Sequence, residues 1–498
     1  MSGRQSIKVY MSACHSEVTG SKIPLTIVFP NNRKQRILID CGSFQEKDYR
    51  YLNYFTDVNP KNVDAILITH NHIDHTGQLP TMVKGGFKSF IYMTKITRQL
   101  LPAFLMDSAS RQTKNMKEMI AMYPEEAWRF KPLYNKDDVR ETLKHCVGVR
   151  YQETMEILPG IEVTFFINGH ILGAAMILIQ CHYPGVRPLN LLFTGDYKLQ
   201  NPFFEVPDLP EWLKKMNLIV IHEATYGTTK AECLKVCFVK NLLEAFKKQQ
   251  DILIGASAQG KMQDVLLDLR KLQNMNLIPE NYDICIDGTL GISTTYAYQE
   301  ILEEFNPKKT DFIPDGIIKV DWKQRKTILN SNRRKIIVTT SGMLSNGPAQ
   351  VYVPIFLQHK KALIHLTGYA AEDTLARKLI DAKHEEVVVI DNKVYQKRAD
   401  IKSTREKTAH TTLDESLKFI GKFEHIAFLA INHGREEVKL GFKDIVDEQC
   451  SNVEQTGILD RETVFCITQS GKSSEKTDRI EVIEKKKKAG CVKKQNKS

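Results

Sequence analysis

The segment Ala65–His75 constrains the fold more than any other part of the chain. It begins with the apolar run Ala65–Thr69 and then carries three histidines and an aspartate within six residues. A short apolar run that ends in polar residues predicts a buried strand. Side chains two residues apart on an extended chain point to the same side, so His70 and His72 can bind one metal ion together.

Asp74 and His75 follow at the turn into the next element, where they would face a second ion. A helix would not serve for the first pair, because helical positions two apart do not face each other. Imidazole and carboxylate ligands together suit zinc or a similar divalent ion. The alternative is a polar loop that contains histidines by chance. Four ligand-type side chains directly after a predicted strand make that the weaker interpretation.

Length and composition limit the class of protein. A chain of 498 residues with 42% hydrophobic residues predicts two or more globular domains. We find no early apolar run long enough for a signal peptide and no later run able to span a bilayer. We therefore expect a cytoplasmic protein without a membrane partner. The ten cysteines contain no Cys-x-x-Cys pair, and we expect reduced core thiols rather than a cysteine metal cluster.

Positive charge is concentrated between Gly471 and Ser498. This stretch holds ten Lys/Arg and four Asp/Glu, a net +6 of the total +11. The pattern predicts a solvated basic tail. Such a tail could hold a phosphate backbone without sequence preference, or it could simply keep the protein in solution.

A regular alternation of elements begins after Leu218–Ile221. Apolar residues first recur at helical spacing, and strand-like runs then follow at Ile252–Ile254, Ile284–Ile286 and Ile336–Thr340. Each run is followed by a loop that contains glycine. Strand, loop and helix in repetition indicate a parallel sheet flanked by helices.

Three later segments also place a ligand-type residue beside an apolar run. His170 precedes a stretch of small residues, Asp196 follows the run that ends at Phe193, and His433 follows Ala427–Ile431. Each of them alone would more often be structural. Their shared position at strand ends favours a common metal site with the early cluster.

In this order, the residues closely resemble the metallo-β-lactamase fold. Three further segments resemble the β-CASP branch of that superfamily, which acts on nucleic acids. Glu223 matches its motif A, His410 its motif B and His433 its motif C. The resemblance extends from about Val9 to Glu436. It implies an α/β protein, a metallo-β-lactamase αββα sandwich with an inserted β-CASP domain built on a parallel sheet.

The resemblance also implies a division of the chain. The metallo-β-lactamase domain would be discontinuous, and the β-CASP domain would lie inside it. The expected limits are 1–221 and 401–445 for the two parts of the metallo-β-lactamase domain, 222–400 for the β-CASP domain, and 446–498 for a C-terminal extension with the basic tail.

By the same resemblance, two zinc ions, or manganese in their place, would bind seven side chains. The expected ligands are His70, His72 and His170 for the first ion and Asp74, His75 and His433 for the second, with Asp196 bridging both. Asp40 would orient ligand imidazoles without binding a metal itself. Glu223 would hold His410, which would protonate the departing oxygen or stabilise charge on the phosphate. Glu223, His410 and Asp74 form the expected catalytic group.

The sequence departs from the family pattern at two places. Arg405–Thr408 precedes motif B where relatives carry Gly and Ser, and Arg435 follows motif C where a glutamate is common. Arg435 is a candidate phosphate contact or a surface variation. The other candidate RNA contacts are Lys261, Ser341, Gly342 and Asn346.

The resemblance implies a zinc-dependent ribonuclease of RNA processing or decay, which cuts single-stranded RNA internally as the strand threads the cleft between the domains. His433 favours RNA, because DNA-repair relatives usually carry valine there. A 5′-exonuclease mode and a homodimer are left open. The alternatives are a DNA-acting β-CASP nuclease, a small-molecule metallo-hydrolase and a non-catalytic RNA-binding subunit. A small-molecule enzyme would leave His410 without a role, and a non-catalytic subunit would be expected to have lost motif residues.

Overall fold

The computed structural model describes residues 6–46, 48–55, 57–234, 237–368, 370–372, 374–470 and 479–486. The chain separates into two compact units. Unit 1 consists of Met1–Leu199, Val206–Thr229 and His410–Ser498, and unit 2 of Gln200–Glu205 and Lys230–Ala409.

The strands, in chain order, are β1 (Ser6–Met11), β2 (Ile23–Val28), β3 (Lys34–Ile39), β4 (Ala65–Leu67), β5 (Phe90–Thr94), β6 (Cys146–Val149), β7 (Thr154–Leu158), β8 (Ile161–Ile167), β9 (Ala175–Tyr183), β10 (Val186–Phe193), β11 (Leu218–Glu223), β12 (Asp251–Gly255), β13 (Tyr282–Asp287), β14 (Ile318–Val320), β15 (Arg334–Thr339), β16 (Ala362–Leu366), β17 (Val387–Ile390), β18 (Lys393–Gln396), β19 (Asp400–Ser403), β20 (Ile426–Asn432), β21 (Thr456–Ile458), β22 (Thr463–Ser470) and β23 (Arg479–Lys486).

The α-helices are α1 (Ile73–Thr76), α2 (Leu79–Lys84), α3 (Lys95–Met122), α4 (Lys136–Lys144), α5 (Glu211–Lys214), α6 (Phe238–Lys247), α7 (Lys261–Asn274), α8 (Thr289–Phe305), α9 (Arg325–Asn330), α10 (Ala349–Leu357), α11 (Leu375–Asp381), α12 (Leu413–Ile420) and α13 (Glu436–Gln449). Within the described ranges, no helix is both long enough and apolar enough to cross a membrane.

Unit 1 is built on two mixed sheets. One has the order β23-β22-β1-β2-β3-β4-β5-β6 and the other the order β21-β20-β11-β10-β9-β8-β7. Strand β9 shows how they pack, because successive side chains on a strand point to opposite faces. Ile177 and Ile179 join the core between the sheets, whereas Met176 and Leu178 pack towards α5, α12 and α13.

The outer face of the first sheet is covered in the same way. Ile66 and Ile91 of this sheet pack with Leu79 of α2, Leu101 of α3 and Val139 of α4. Two sheets thus lie face to face with helices on both outer sides. This arrangement is the expected αββα sandwich, which buries both faces of each sheet.

Unit 2 contains the predicted parallel sheet. Its six strands have the order β14-β13-β15-β12-β16-β19, and each neighbouring pair is parallel. Helices α10 and α11 cover one face, where Leu253, Ile337 and Ile364 pack with Tyr352 and Leu379. Strands β17 and β18 form a separate antiparallel hairpin.

The unit limits differ from the expected domain limits. The larger stretch of unit 2 runs from 230 to 409, whereas the sequence placed these limits at 222 and 400. Residues up to Thr229 stay with unit 1, where Tyr226 pairs with Thr412. At the other end, β19 pairs with β16 and extends the sheet of unit 2 beyond residue 400.

The predicted extension 446–498 is partly a structural component of unit 1. Strand β21 pairs with β20, β22 pairs with β1, and β23 pairs with β22. Phe465 and Ile467 of β22 are buried between the sheets. The prediction of a solvated tail is therefore wrong for 479–486, which form β23. The rest of the predicted tail, 471–478 and 487–498, lies outside the described residues.

Candidate metal centre

The early cluster lies where β4 delivers the chain to a short helix. All three residues of β4 are buried, and the backbone of His72 is extended just before α1 begins. His70 therefore follows the strand, whereas Asp74 and His75 lie within the first turn of α1. The change from strand to helix lets four side chains of one short segment point to two neighbouring positions.

Three histidines converge on the first of these positions. His72 Nδ1 lies 3.1 Å from His70 Nε2 and 3.2 Å from His170 Nε2. Asp196 Oδ2 lies 3.7 Å from His70 Nε2 and 3.8 Å from His170 Nε2. One ligand atom from each of these four residues lies within 4.8 Å of all the others.

The second position is formed by Asp74, His75 and His433. His75 Nε2 lies 3.2 Å from His433 Nε2 and 3.9 Å from Asp74 Oδ2. Asp196 also borders this group, since its Oδ2 lies 3.3 Å from His75 Nε2 and its Oδ1 lies 3.3 Å from His433 Nδ1. The seven side chains singled out in the sequence thus surround two adjacent positions, with Asp196 between them.

These residues fit divalent metal ions. Asp196 is 2% exposed, yet its Oδ1 accepts no hydrogen bond from any residue that the structure describes. A buried carboxylate oxygen without a donor is costly unless a cation balances it. Imidazole nitrogens only 3.1–3.2 Å apart place lone pairs towards a common point, and a His/Asp donor set is typical of zinc.

Burial sets the protonation of the first group. Burial lowers the pKa of His70, and the neighbouring His75 and His170 lower it further. Burial also brings the pKa of His72 to about 4. Both imidazoles are therefore neutral near pH 7, the form in which histidine binds a metal.

Asp196 and His75 form a charged pair until a metal ion replaces the proton on Nε2 of His75, because metal binding releases protons from its ligands. Burial raises the pKa of Asp196, but His433 and His75 outweigh it and hold the pKa well below its usual value. Burial lowers the pKa of His75, but the carboxylates of Asp196 and Asp40 outweigh it and raise the pKa. Asp196 is thus an anion near neutral pH, the form in which a carboxylate binds a metal ion.

Asp40 is placed to orient His75. It directly follows β3, and its Oδ2 accepts a hydrogen bond of 2.7 Å from His75 Nδ1. Its Oδ1 accepts from the backbone N–H of Thr69 at 2.8 Å. Because Nδ1 is engaged in this way, Nε2 of His75 is the nitrogen that faces the centre, an arrangement common behind metal-bound histidines.

Glu223 and His410 form a second pair beside the cluster. Glu223 ends β11 and is 3% exposed. His410 Nδ1 lies 3.1 Å and 2.9 Å from its two carboxylate oxygens. Burial raises the pKa of Glu223, but His410 outweighs it, so the pKa is lowered. The His410 ring centroid is 4.9 Å from that of His170 and 6.0 Å from that of His433.

Two residues that support His410 were missed in the sequence. Lys198 Nζ donates to the main-chain oxygen of His410 at 3.1 Å and to Glu415 Oε2 at 2.7 Å. Glu415 also accepts from the backbone N–H of Thr412 at 2.9 Å. The spacing Thr412-x-x-Glu415 is a helix capping box, which predicts the start of α12 but not the contact with Lys198.

The candidate RNA contacts lie in both units. In unit 2, Lys261 begins α7, and the turn after β15 contains Ser341, Gly342 and Asn346. The N–H of Ser341 donates to the main-chain oxygen of Asn346 at 3.3 Å. A side chain at Gly342 would lie 3.2 Å from the backbone nitrogen of Ser257, so the turns after β15 and β12 are in contact.

Arg435 belongs to unit 1. It directly precedes α13, and its Nη1 lies 3.9 Å from Glu437 Oε1. The side chain is 42% exposed, so it is open to solvent three residues after the end of β20.

Two family models match the chain. Residues 25–155 match the metallo-beta-lactamase superfamily, and residues 262–379 match the Beta-Casp domain. The chain is a metallo-β-lactamase protein with a Beta-Casp domain. The resemblance inferred from the motifs is thereby confirmed, together with the fold class.

Archaeal proteins are similar to this metallo-β-lactamase/Beta-Casp chain. Transcription termination factor FttA of Methanosarcina mazei is 30% identical over 367 residues, which are 70% of this chain and 54% of that protein. Probable RNase MJ4 of Methanocaldococcus jannaschii is 27% identical over 81% of this chain and 88% of that protein. An RNase J-like protein of the same organism is 27% identical over 84% and 92%. The chain spans about half the length of the FttA relative.

Proposed function

We propose that the protein is a zinc-dependent ribonuclease that hydrolyses internal phosphodiester bonds of single-stranded RNA. The observation that carries the proposal is the pairing of His410 with buried Glu223, 2.9 Å apart, beside the metal cluster. A proton donor held at the edge of a metal centre suits a reaction in which an alkoxide-like oxygen must depart. The names of the RNase MJ4 and RNase J-like relatives support RNA as the substrate.

Two ions would be held by seven side chains. We assign His70, His72 and His170 to the first ion and Asp74, His75 and His433 to the second, with Asp196 shared. When bound, such a pair lowers the pKa of a water molecule and neutralises charge on the phosphate.

The protein's own residues supply orientation and proton transfer. Asp40 fixes the imidazole of His75 through Nδ1. The carboxylate of Asp74 is 18% exposed, so it can reach the attacking water and accept a proton from it. Glu223 favours the protonated form of His410. Because Nδ1 of His410 is held by Glu223, Nε2 is the nitrogen that would donate to the departing oxygen.

The substrate class is tested with matched strands. Single-stranded RNA and DNA of the same sequence, labelled at the 5′ end, are incubated with the zinc-loaded protein. We expect 5′-labelled RNA fragments that end at internal positions. A chelator should abolish the cleavage. If only mononucleotides were released from the 5′ end, the protein would be a 5′-exonuclease and the proposed endonuclease activity would be wrong. Cleavage of DNA alone would contradict the RNA assignment.

The metal assignment is tested separately. Replacing His72 and Asp74 together by alanine should abolish cleavage, reduce the metal content from about two ions per chain and largely preserve RNA binding. His182 offers a matched control, because it lies on β9 in the same unit with 39% side-chain exposure and pairs with Glu162. Full activity in the His72/Asp74 variant would contradict the site.

A further inference from the structure

Unit 2 carries an exposed tryptophan among lysines at the end of its edge strand. Trp322 is 72% exposed and lies two residues after β14, one of the two outermost strands of the parallel sheet. Exposed Lys319 and Lys323 flank it, and exposed Lys326 lies on the following helix α9. We refer to Lys319, Trp322, Lys323 and Lys326 as the Trp322 platform.

The turn that presents Trp322 is fixed by hydrogen bonds. Asp321 Oδ1 accepts from the backbone N–H groups of Lys323 at 2.8 Å and Gln324 at 2.9 Å. Gln324 Oε1 in return accepts from the backbone N–H of Asp321 at 3.0 Å. A ring that is held in solvent by a rigid turn loses little conformational freedom when a ligand covers it.

The surroundings of the ring are positively charged. Lys323 Nζ lies 5.4 Å from the centre of the Trp322 ring, and Lys319 Nζ lies 3.7 Å from that of Tyr296. Asp321 is the single acid between Ile318 and Asn330, and its carboxylate serves the turn. Lys319, Lys323 and Lys326 therefore have no other acid in this stretch of the sequence to neutralise them.

The platform lies at the edge of the sheet where parallel α/β proteins bind ligands. Carboxyl ends of parallel strands meet at one edge, so the turn after β14 lies on the same edge as those after β13 and β15. Arg325, which follows β14, connects the ends of β14 and β13 directly, because its guanidinium donates to the carboxylate of Asp287 at 2.7 Å and 3.1 Å. Asp287 is the last residue of β13. The candidate RNA contacts Ser341 and Gly342 follow β15 at this edge.

We propose that Trp322 stacks on a base of single-stranded RNA while Lys319, Lys323 and Lys326 contact its phosphates. This inference rests on the proposed ribonuclease function and adds a binding surface in unit 2. Aromatic rings within a basic surface are the usual means of holding single strands without sequence preference. A protein partner fits less well, because lysine is depleted in the cores of protein interfaces.

Tryptophan fluorescence tests the stacking directly. The chain has three tryptophans, so replacing Trp128 and Trp212 by phenylalanine leaves Trp322 as the only one. The full chain also carries His72→Ala and Asp74→Ala, so that the RNA is not cleaved during the measurement. This protein is titrated with a 20-nucleotide oligouridylate. We expect quenching of Trp322 on binding.

Affinity supplies a second readout. These variants carry His72→Ala and Asp74→Ala but retain Trp128 and Trp212. Trp322→Ala should weaken binding of the oligouridylate about tenfold, and Trp322→Phe should retain most of the affinity. Trp128→Ala is the matched control, because Trp128 is 74% exposed and also lies near an arginine, 5.8 Å from its ring. Its affinity should be unchanged.

Salt dependence tests the lysines. Each of Lys319→Gln and Lys323→Gln should reduce the slope of log K against log[salt] by about 0.7, the value for one phosphate contact on a single strand. Lys393→Gln, an exposed lysine on the β17–β18 hairpin, should leave the slope unchanged. Equal slopes in all three variants would contradict the phosphate contacts.

The outcomes separate this inference from the proposed function. Binding without quenching, together with unchanged affinity in Trp322→Ala, would overturn the inference while RNA cleavage by the wild type still supported the ribonuclease. The surface would then be assigned to a protein partner. Absence of both oligouridylate binding and RNA cleavage by the wild type would overturn both.

Discussion

Lys198 holds the backbone of His410 at a distance of 3.1 Å from Nζ to the main-chain oxygen. The same ammonium group donates to Glu415 Oε2 at 2.7 Å. The main-chain oxygen of Lys198 accepts a hydrogen bond from the backbone N–H of Gly169 at 3.0 Å. Gly169 precedes His170, one of the proposed ligands. Lys198 therefore connects the segment that carries His410 to the turn that carries His170, while Glu223 holds the imidazole ring of His410. Two independent sets of contacts set the position of one side chain.

We predict that Lys198→Met lowers kcat about tenfold to a hundredfold with little change in KM. The substitution removes the contact that positions His410, and general acid catalysis depends on that position. A substrate in which sulfur replaces the departing oxygen needs no proton donor, so it should be cleaved by the variant at close to the wild-type rate.

Single-turnover rates on the oxygen and sulfur substrates check this prediction. His410→Ala should show the same selective loss, and Lys198→Arg should recover part of the rate. Lys215→Met serves as a control, because Lys215 is exposed in the same unit. An equal loss on both substrates would mean that Lys198 supports the fold rather than proton transfer.

Local patterns explain why the candidate ligands could be predicted from the sequence and the contacts that support His410 could not. The early cluster lies within six residues, and each later ligand follows or precedes an apolar run, so strand-end placement brings them out. The contact of Lys198 with Glu415 joins residues 217 positions apart. It depends on how α12 packs on the second sheet, which no periodicity in the sequence encodes.

The C-terminal strands were missed because their place in the sheet also depends on contacts that are distant in the sequence. Thr463–Ser470 contains the apolar run Val464–Ile467, in which Phe465 and Ile467 are buried. Strand β23, however, mixes Ile480 and Val482 with charged residues, and the lysines that follow dominate its composition. Its place in the sheet comes from pairing along the whole of β22, so tertiary contacts override a weak local preference.

We predict that Asp40→Asn weakens metal binding 10- to 100-fold. Asp40 accepts a 2.7 Å hydrogen bond from His75 Nδ1, and a neutral amide orients the imidazole less firmly and makes it a poorer ligand. Competition with a chromophoric zinc chelator measures the effect. His182→Ala should bind zinc as the wild type does, and an unchanged affinity in Asp40→Asn would contradict the orienting role.

We predict that the stabilising effect of Asp208 is lost in acid. Burial raises the pKa of Asp208, but hydrogen bonds from Lys214 and Lys422, both at 2.7 Å, outweigh it and bring the pKa to about 2. The folded pKa lies below the unfolded value of about 3.9. The contribution is therefore complete above about pH 4 and disappears as the pH falls towards 2.

Urea unfolding of Asp208→Asn and the wild type at several pH values measures this difference. Because the side chain is 55% exposed, solvent screening limits the loss at pH 6 to less than about 1 kcal/mol. The difference between the two proteins should narrow at pH 3. A difference that stays constant from pH 6 to pH 3 would contradict the ion-pair explanation.

We predict that Gly42→Ala disrupts the metal centre through the backbone of Asp74. A Cβ atom at Gly42 would lie 1.5 Å from the main-chain oxygen of Asp74 and 2.9 Å from the backbone nitrogen of His75. Backbone atoms on both sides must shift, because neither contact is the end of a flexible side chain. Overpacking of this kind costs about 1–3 kcal/mol or more.

Thermal unfolding and zinc content together check the consequence. The hydrogen bond from the N–H of Cys41 to the main-chain oxygen of His75, 2.7 Å long, holds the two segments together, so the shift should reach both Asp74 and His75. We expect a lower Tm and fewer than two ions per chain. Gly421→Ala is the matched control, since Gly421 directly follows α12 with φ −66° and a Cβ atom there would lie 3.3 Å from the main-chain oxygen of Leu417. If Gly42→Ala kept full zinc content, the segment after β3 would not determine where α1 places Asp74 and His75, its two proposed ligands.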